Sequence, residues 1–161
     1  MAALTVFLDT SVLLAGLIDM GPASDPAQAI LSAVAAGTMA RPLTAWHCCL
    51  EFYSVATRLP IEFRLTPADA LQLAEEEIFQ RFRIVDLPAA QRRRLLADAA
   101  VNGIGGGRVH DLHIAEVARS HRAQVVVTDN VRHFAPLLRY GVRVVSSAEL
   151  AAEIPAPAAR R

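Results

Sequence analysis

Apolar residues fall along this chain in short continuous runs that alternate with longer stretches of helical spacing. Leu4 to Leu8 is a run of the kind a strand buried on both faces requires. It stops at Asp9-Thr10-Ser11, after which Val12, Leu13, Leu14 and Leu17 predict a helix. Gly21-Pro22 breaks that helix. Ser24 or Asp25 ahead of Pro26 predicts a cap and a helix to about Ala36, stopped by Gly37. Met39 to Arg41 reads as a short strand, Pro42 as a turn, and Thr44 as the cap of a helix through Arg58 that Pro60 closes. Thr66-Pro67 opens a helix to about Gln80 whose exposed side carries Glu75, Glu76 and Glu77. Phe82 to Asp86 reads as a strand, and Leu87-Pro88 leads to a helix through Ala100. The loop Gly103-Ile104-Gly105-Gly106-Gly107 ends at His110-Asp111, and a helix from Asp111 to about His121 precedes the strand Gln124 to Thr128. Asp129-Asn130 turns the chain into a helix through Leu138, Val142 to Val145 is a last strand, and Ser147 caps a short final helix.

Strands alternating with helices imply βαβ units and an α/β fold with a mainly parallel sheet. There is no internal repeat and no linker, so residues 1–150 are expected to form one domain, with 151–161 as a short frayed tail. In such folds ligands bind beyond the carboxyl ends of the strands.

Composition narrows the chemistry. Lys and Arg together balance Asp and Glu at sixteen each, so the overall positive charge of many nucleic-acid binders is missing. Contacts to a polyanion must then be local, at Arg92-Arg93-Arg94, Arg108, Arg119, Arg122 or Arg132. There is no lysine, which excludes a Walker A phosphate loop and Schiff-base chemistry. Cys48 and Cys49 are adjacent and cannot staple distant segments; they read as two small buried side chains in a reducing compartment. Val12 to Ile18 is far short of the ~20 apolar residues of a membrane span, and the first residues show no basic region or cleavage pattern. A cytoplasmic protein without a membrane partner is expected.

The carboxyl-edge rule sorts the acids. Asp9 follows the first strand, Asp129 follows the strand ending at Thr128, and Asp111 opens the helix that leads into that strand. Glu51 sits about two turns inside its helix and reaches the edge only if that helix leans across it. Each has a plain structural alternative: Asp111 as an N-cap, Asp9 and Asp129 as turn residues, Glu51 as a solvated side chain. Converging carboxylates repel, and a hard divalent cation relieves that cost. Oxygen ligands without Cys or His spacing favour Mg²⁺ or Mn²⁺ over zinc, and phosphodiester hydrolysis is the natural reaction. An aspartyl phosphatase would place a second acid where Ser11 stands, and a phospho-receiver domain needs a late lysine.

Asp9-Thr10-Ser11-Val12-Leu13, Glu51 within Leu50-Glu51-Phe52-Tyr53-Ser54, Gly106-Gly107-Arg108-Val109-His110-Asp111 and Val127-Thr128-Asp129-Asn130 together resemble PIN-domain proteins of the VapC toxin type. The likeness spans nearly the whole chain. It implies a three-layer α/β/α sandwich and a Mg²⁺- or Mn²⁺-dependent endoribonuclease that cuts RNA. It also implies a small cognate antitoxin and a homodimer. By the same resemblance Asp9 and Asp111 are the primary metal ligands, Glu51 completes the site, and Asp129 supports it. Thr10, Ser11 and Thr128 would orient the carboxylates. The chain departs from the pattern at Asn130 and His133, where relatives often carry acids, so the fourth position stays open between Asp129 and Asn130. A PIN nuclease of RNA processing, or a non-catalytic interaction domain of the same fold, is the alternative reading.

Overall fold

The computed structural model describes residues 4–155. Its centre is a sheet of five parallel strands in the order β3-β2-β1-β4-β5. These are β1 (Val6–Leu8), β2 (Leu43–Ala45), β3 (Arg83–Val85), β4 (Val125–Val127) and β5 (Arg143–Val145). Between and after them run α1 (Thr10–Leu17), α2 (Asp25–Ala35), α3 (Trp46–Ala56), α4 (Pro67–Leu73), α5 (Ala89–Val101), α6 (Arg108–Ser120), α7 (Val131–Phe134) and α8 (Ser147–Glu153). Helix α4 continues as a π-helical segment, Ala74–Phe79, and α7 as a 3-10 segment, Ala135–Tyr140.

The sheet is apolar where it is central. Every residue of β1, β2 and β4 is buried, whereas β3 and β5, at the two edges, begin with an exposed arginine. Helices α1, α2, α3, α4 and α8 pack on one another as one layer; α5, α6 and α7 form the other. Phe7, Phe52, Phe82 and Phe134 are fully buried between sheet and helices. Each contributes roughly 1.5–3 kcal/mol by burial alone. Helices α1 and α2 meet closely because Gly16 has no side chain: a Cβ there would sit 2.7 Å from the Leu31 side chain. The result is the three-layer α/β/α sandwich anticipated from the chain's alternation and likeness.

Four local readings are corrected. The second strand is Leu43–Ala45, not Met39 to Arg41, and Thr44 is a strand residue rather than a cap. Its hydroxyl donates to the Leu8 carbonyl at 2.8 Å, and Pro42 just ahead still accepts from the Arg83 N–H. Helix α6 begins at Arg108, so Asp111 lies inside its first turn and is not its N-cap. Ser146, not Ser147, caps α8, in a reciprocal capping box with Glu149. Helix α8 runs past residue 150 to Glu153; residues 156–161 of the anticipated tail lie outside the described residues. Among the described residues no helix is long and apolar enough to cross a membrane.

Candidate active site

Asp9 leaves β1 in extended backbone conformation and its N–H donates to the Val127 carbonyl at 3.0 Å, one rung beyond the β1–β4 ladder. That hydrogen bond sets its side chain at the carboxyl edge, only 3% exposed. Thr128 Oγ1 donates to Asp9 Oδ2 at 2.8 Å and Ser11 Oγ donates to the same oxygen at 3.2 Å. The other oxygen, Oδ1, accepts from no side chain among the described residues except the weak donor Cys48 Sγ at 4.0 Å. Burial pushes the Asp9 carboxyl up to about 6, against the pull of Thr128, Thr10 and Ser11; the Glu51 charge adds to the rise.

Glu51 does reach the edge. Because β2 runs to Ala45, α3 starts at Trp46 and carries Glu51 in its second turn. Thr10 Oγ1 donates to Glu51 Oε2 at 2.6 Å, joining α1 to α3. His47, one turn earlier, approaches Glu51 Oε1 at 3.8 Å. The His47 ring lowers the Glu51 pKa, and Glu51 raises that of His47. Thr10, Ser11 and Thr128 thus each donate a hydrogen bond to one of these two carboxylates.

Asp111 is held differently. Its Oδ2 lies 2.7 Å from His133 Nδ1 across the gap between α6 and α7. A carboxylate accepts, so Nδ1 is the donor. His110 beside it stacks on His47 with centroids 5.0 Å apart, and His113 meets His47 edge-on at 5.2 Å. This imidazole layer ties the N-terminal part of α6, which bears Asp111, to the first turn of α3. Burial lowers the His113 pKa. None of these contacts is legible in the sequence, where His47 stands one helical turn before Glu51 and His133 only marks a departure from the family pattern.

Asp129 turns away. Its Oδ1 accepts from the Ser147 N–H at 3.1 Å and its Oδ2 from Ser147 Oγ at 3.2 Å, at the start of α8. Only its backbone N–H faces the site, donating to Ser11 Oγ at 3.1 Å. Asn130 contributes its backbone N–H to Thr128 Oγ1 at 3.1 Å; its amide makes no hydrogen bond among the described residues. Cys48 and Cys49 are buried, and burial pushes both thiols up, that of Cys49 to about 12, which leaves them without nucleophilic character.

No arginine pairs with Asp9, Glu51, Asp111 or Asp129 among the described residues, although arginines pair with acids elsewhere on the surface. No three Asp, Glu, His or Cys side chains among those residues close into a finished metal cage. What the edge offers is a buried carboxylate with one free oxygen, a second carboxylate beside it, and a third on the turn the histidines bring in. That donor set suits a hard, hydrated cation held by one or two carboxylates, with water completing its shell.

The family model for the PIN domain matches residues 5–132. Ribonuclease VapC27 of Mycobacterium tuberculosis is 34% identical over 102 residues, covering 63% of this chain and 72% of that protein. Among solved structures, the DNA-bound VapBC of Salmonella typhimurium superimposes with a TM-score of 0.61 at 24% identity, covering 89% of this chain and 98% of that one. VapC20 of Mycobacterium tuberculosis, described as a Sarcin-Ricin loop cleaving toxin, gives 0.63 at 15% identity, covering 82% and 95%. At these identities the two structures speak to fold alone.

Proposed function

This chain belongs to the PIN-domain family, and from that premise we propose that it is a Mg²⁺- or Mn²⁺-dependent endoribonuclease, the toxin of a toxin–antitoxin pair. The observation that carries the reading is the buried Asp9 carboxylate, which has no arginine partner among the described residues although the chain is rich in arginine. A buried carboxylate without a counter-charge is costly, and a protein retains one where a ligand neutralises it. Asp9 and Asp111 would be the primary ligands, with Glu51 completing the site directly or through water. A divalent cation there would supply positive charge to the scissile phosphate and make a neighbouring water more acidic.

The chain's own residues position and select. Thr128 and Ser11 occupy Asp9 Oδ2 and leave Oδ1 for the cation. Thr10 fixes Glu51, and His133 fixes Asp111, so each carboxylate is aimed before substrate arrives. A small antitoxin would silence the site most directly by placing an arginine fork among these acids, which satisfies carboxylates much as the metal does. The protein would work in the cytoplasm, as a homodimer.

The test is cleavage of total RNA by the purified chain with Mg²⁺ or Mn²⁺ and with chelator, with the cut ends mapped, beside growth of cells in which it is induced. Metal-dependent cuts at discrete positions and growth arrest, relieved by the small protein encoded beside it, are expected. Folded protein that cuts no RNA removes the nuclease reading. Cutting without growth arrest removes only the toxin assignment and favours RNA processing.

Asp129 is proposed to support the site through structure. Asp129→Ala is expected to cost about 1 kcal/mol by leaving the Ser147 N–H and hydroxyl at the start of α8 without their acceptor, with cleavage staying within about tenfold of wild type. Denaturant unfolding and kcat/KM at several Mg²⁺ concentrations check both. A loss of cleavage as severe as that of Asp9→Asn would return Asp129 to the metal.

A further inference from the structure

Between α6 and the segment that follows β4 lies a recess of about 90 Å³, open to solvent. The Asp111–His133 pair lines it together with apolar Leu112, Ala115, Phe134 and Leu137, so it is continuous with the acidic edge. Exposed Arg108, Arg139 and Tyr140 line it as well. Tyr140 keeps 51% of its surface in solvent, and two guanidiniums lie over its ring, Arg119 at 5.0 Å and Arg139 at 4.8 Å. Arg119 is anchored by both carboxylate oxygens of Glu116, at 2.8 and 2.7 Å. Arg108 and Arg139 pair with no acid among the described residues.

Resting on the ribonuclease reading, we infer that this recess is a nucleobase subsite. One base of a single-stranded RNA, adjacent to the phosphate at the acidic edge, leaves its stack and enters the apolar slot. Tyr140 and its arginines provide the aromatic and cationic planes on which that base or its neighbour stacks. Arg108 and Arg139 meet the flanking phosphates. The physical case is complementarity. Arg108 and Arg139, without an acidic partner among the described residues, stand around one apolar slot beside the proposed catalytic carboxylates and give it a local positive potential. Unstacked bases in RNA are recognised in this way, by aromatic and guanidinium planes with apolar contact. The subsite makes cleavage depend on the base at one fixed position relative to the cut.

The experiment uses the full chain with single-stranded RNA oligonucleotides randomised around one position, and four variants: Tyr140→Ala, Arg139→Ala, Ile104→Trp to fill the recess from its loop, and Asp9→Asn as a non-cleaving binder. Melting curves verify folding of each. Tyr140→Ala and Ile104→Trp are expected to raise KM on the order of tenfold or more, as loss of one stacked base does. They should also flatten the base preference at one position while cuts remain metal-dependent. Added to Asp9→Asn, each should weaken fluorescence-anisotropy binding of the oligonucleotide by a similar factor. Unchanged KM, binding and preference in folded Tyr140→Ala and Ile104→Trp overturn the subsite and leave the nuclease standing. Oligonucleotide that binds through Tyr140 yet is never cut upholds the subsite and removes the nuclease. Variants that alter only rescue by the antitoxin assign the recess to that protein instead and overturn the inference.

Discussion

Asp9→Asn is expected to lose RNA cleavage by on the order of 10³-fold or more while making the metal-free protein more stable at neutral pH. The activity loss should exceed the ~10–100-fold typical of a residue that merely orients a ligand, because the substitution removes charge from the oxygen left free for the cation. The stability gain has a separate cause. Burial raises the Asp9 carboxyl from 3.8 to about 6, so through that interval the folded chain holds a proton that the unfolded chain has released. Stability therefore falls as pH climbs from about 4 to about 6, by roughly 3 kcal/mol in total, and stays low above it. Asparagine escapes that cost, and its amide can donate to the hydroxyls of Thr128 and Ser11, which rotate to accept. Denaturant titrations in chelator should show the two proteins alike near pH 4 and the variant ahead at pH 7. Mn²⁺ should then raise the melting temperature of the wild type more than that of the variant, since a ligand confined to the folded state stabilises it by mass action. Equal pH slopes would mean that Asp9 is ionised in the fold at no cost. Full metal-dependent cleavage by the variant would end the assignment of Asp9.

Asp111→Asn should abolish cleavage comparably, and His133→Ala should not. Asp111 is half-buried in the first turn of α6, its Oδ2 is occupied by His133 Nδ1, and its Oδ1 accepts from no donor among the described residues. The geometry therefore repeats that of Asp9: one oxygen fixed by the protein, the other available. If Asp111 is the ligand proposed above, removing its charge removes that ligand, whereas removing the imidazole only frees the carboxylate to rotate. His133→Ala is accordingly expected to lose on the order of 10–100-fold. Much of that should return at high Mg²⁺, because misaligned but intact ligands are compensated by mass action. Single-turnover rates across a Mg²⁺ series separate the cases. A defect in His133→Ala as deep as that of Asp111→Asn, and insensitive to metal, would make the histidine part of the reaction itself.

Much of this arrangement is legible in the chain. The run ending at Leu8 and the run ending at Thr128 are apolar enough to be central strands, and in a parallel sheet their ends place Asp9 and Asp129 at one edge. Ser11 donates to Asp9 two residues away, a bond its position anticipates, whereas Thr10 donates to Glu51 and Thr128 to Asp9, partners that only folding brings. The cysteines, adjacent and apolar in context, could only be buried. Local signals of this kind survive folding because they depend on near neighbours and on a periodicity the chain carries with it.

Other features exist only in the folded molecule. Leu43–Ala45 is a strand because Phe7 on one side and β3 on the other complete its ladder; three residues with a threonine in the middle carry no pattern of their own. Asp129 lies at the predicted edge, but the direction of its carboxylate is set by the N–H and hydroxyl of Ser147, which β5 delivers from further along the chain. His133 meets Asp111, His110 stacks on His47, and Tyr140 gathers Arg119 because α3, α6 and the turn after β4 converge around the sheet. The sequence by itself determined which residues stand at the edge, because chain direction and strand ends decide that. Only the tertiary structure decided where their side chains point, because a rotamer is chosen by packing and by hydrogen-bond partners that distant segments bring.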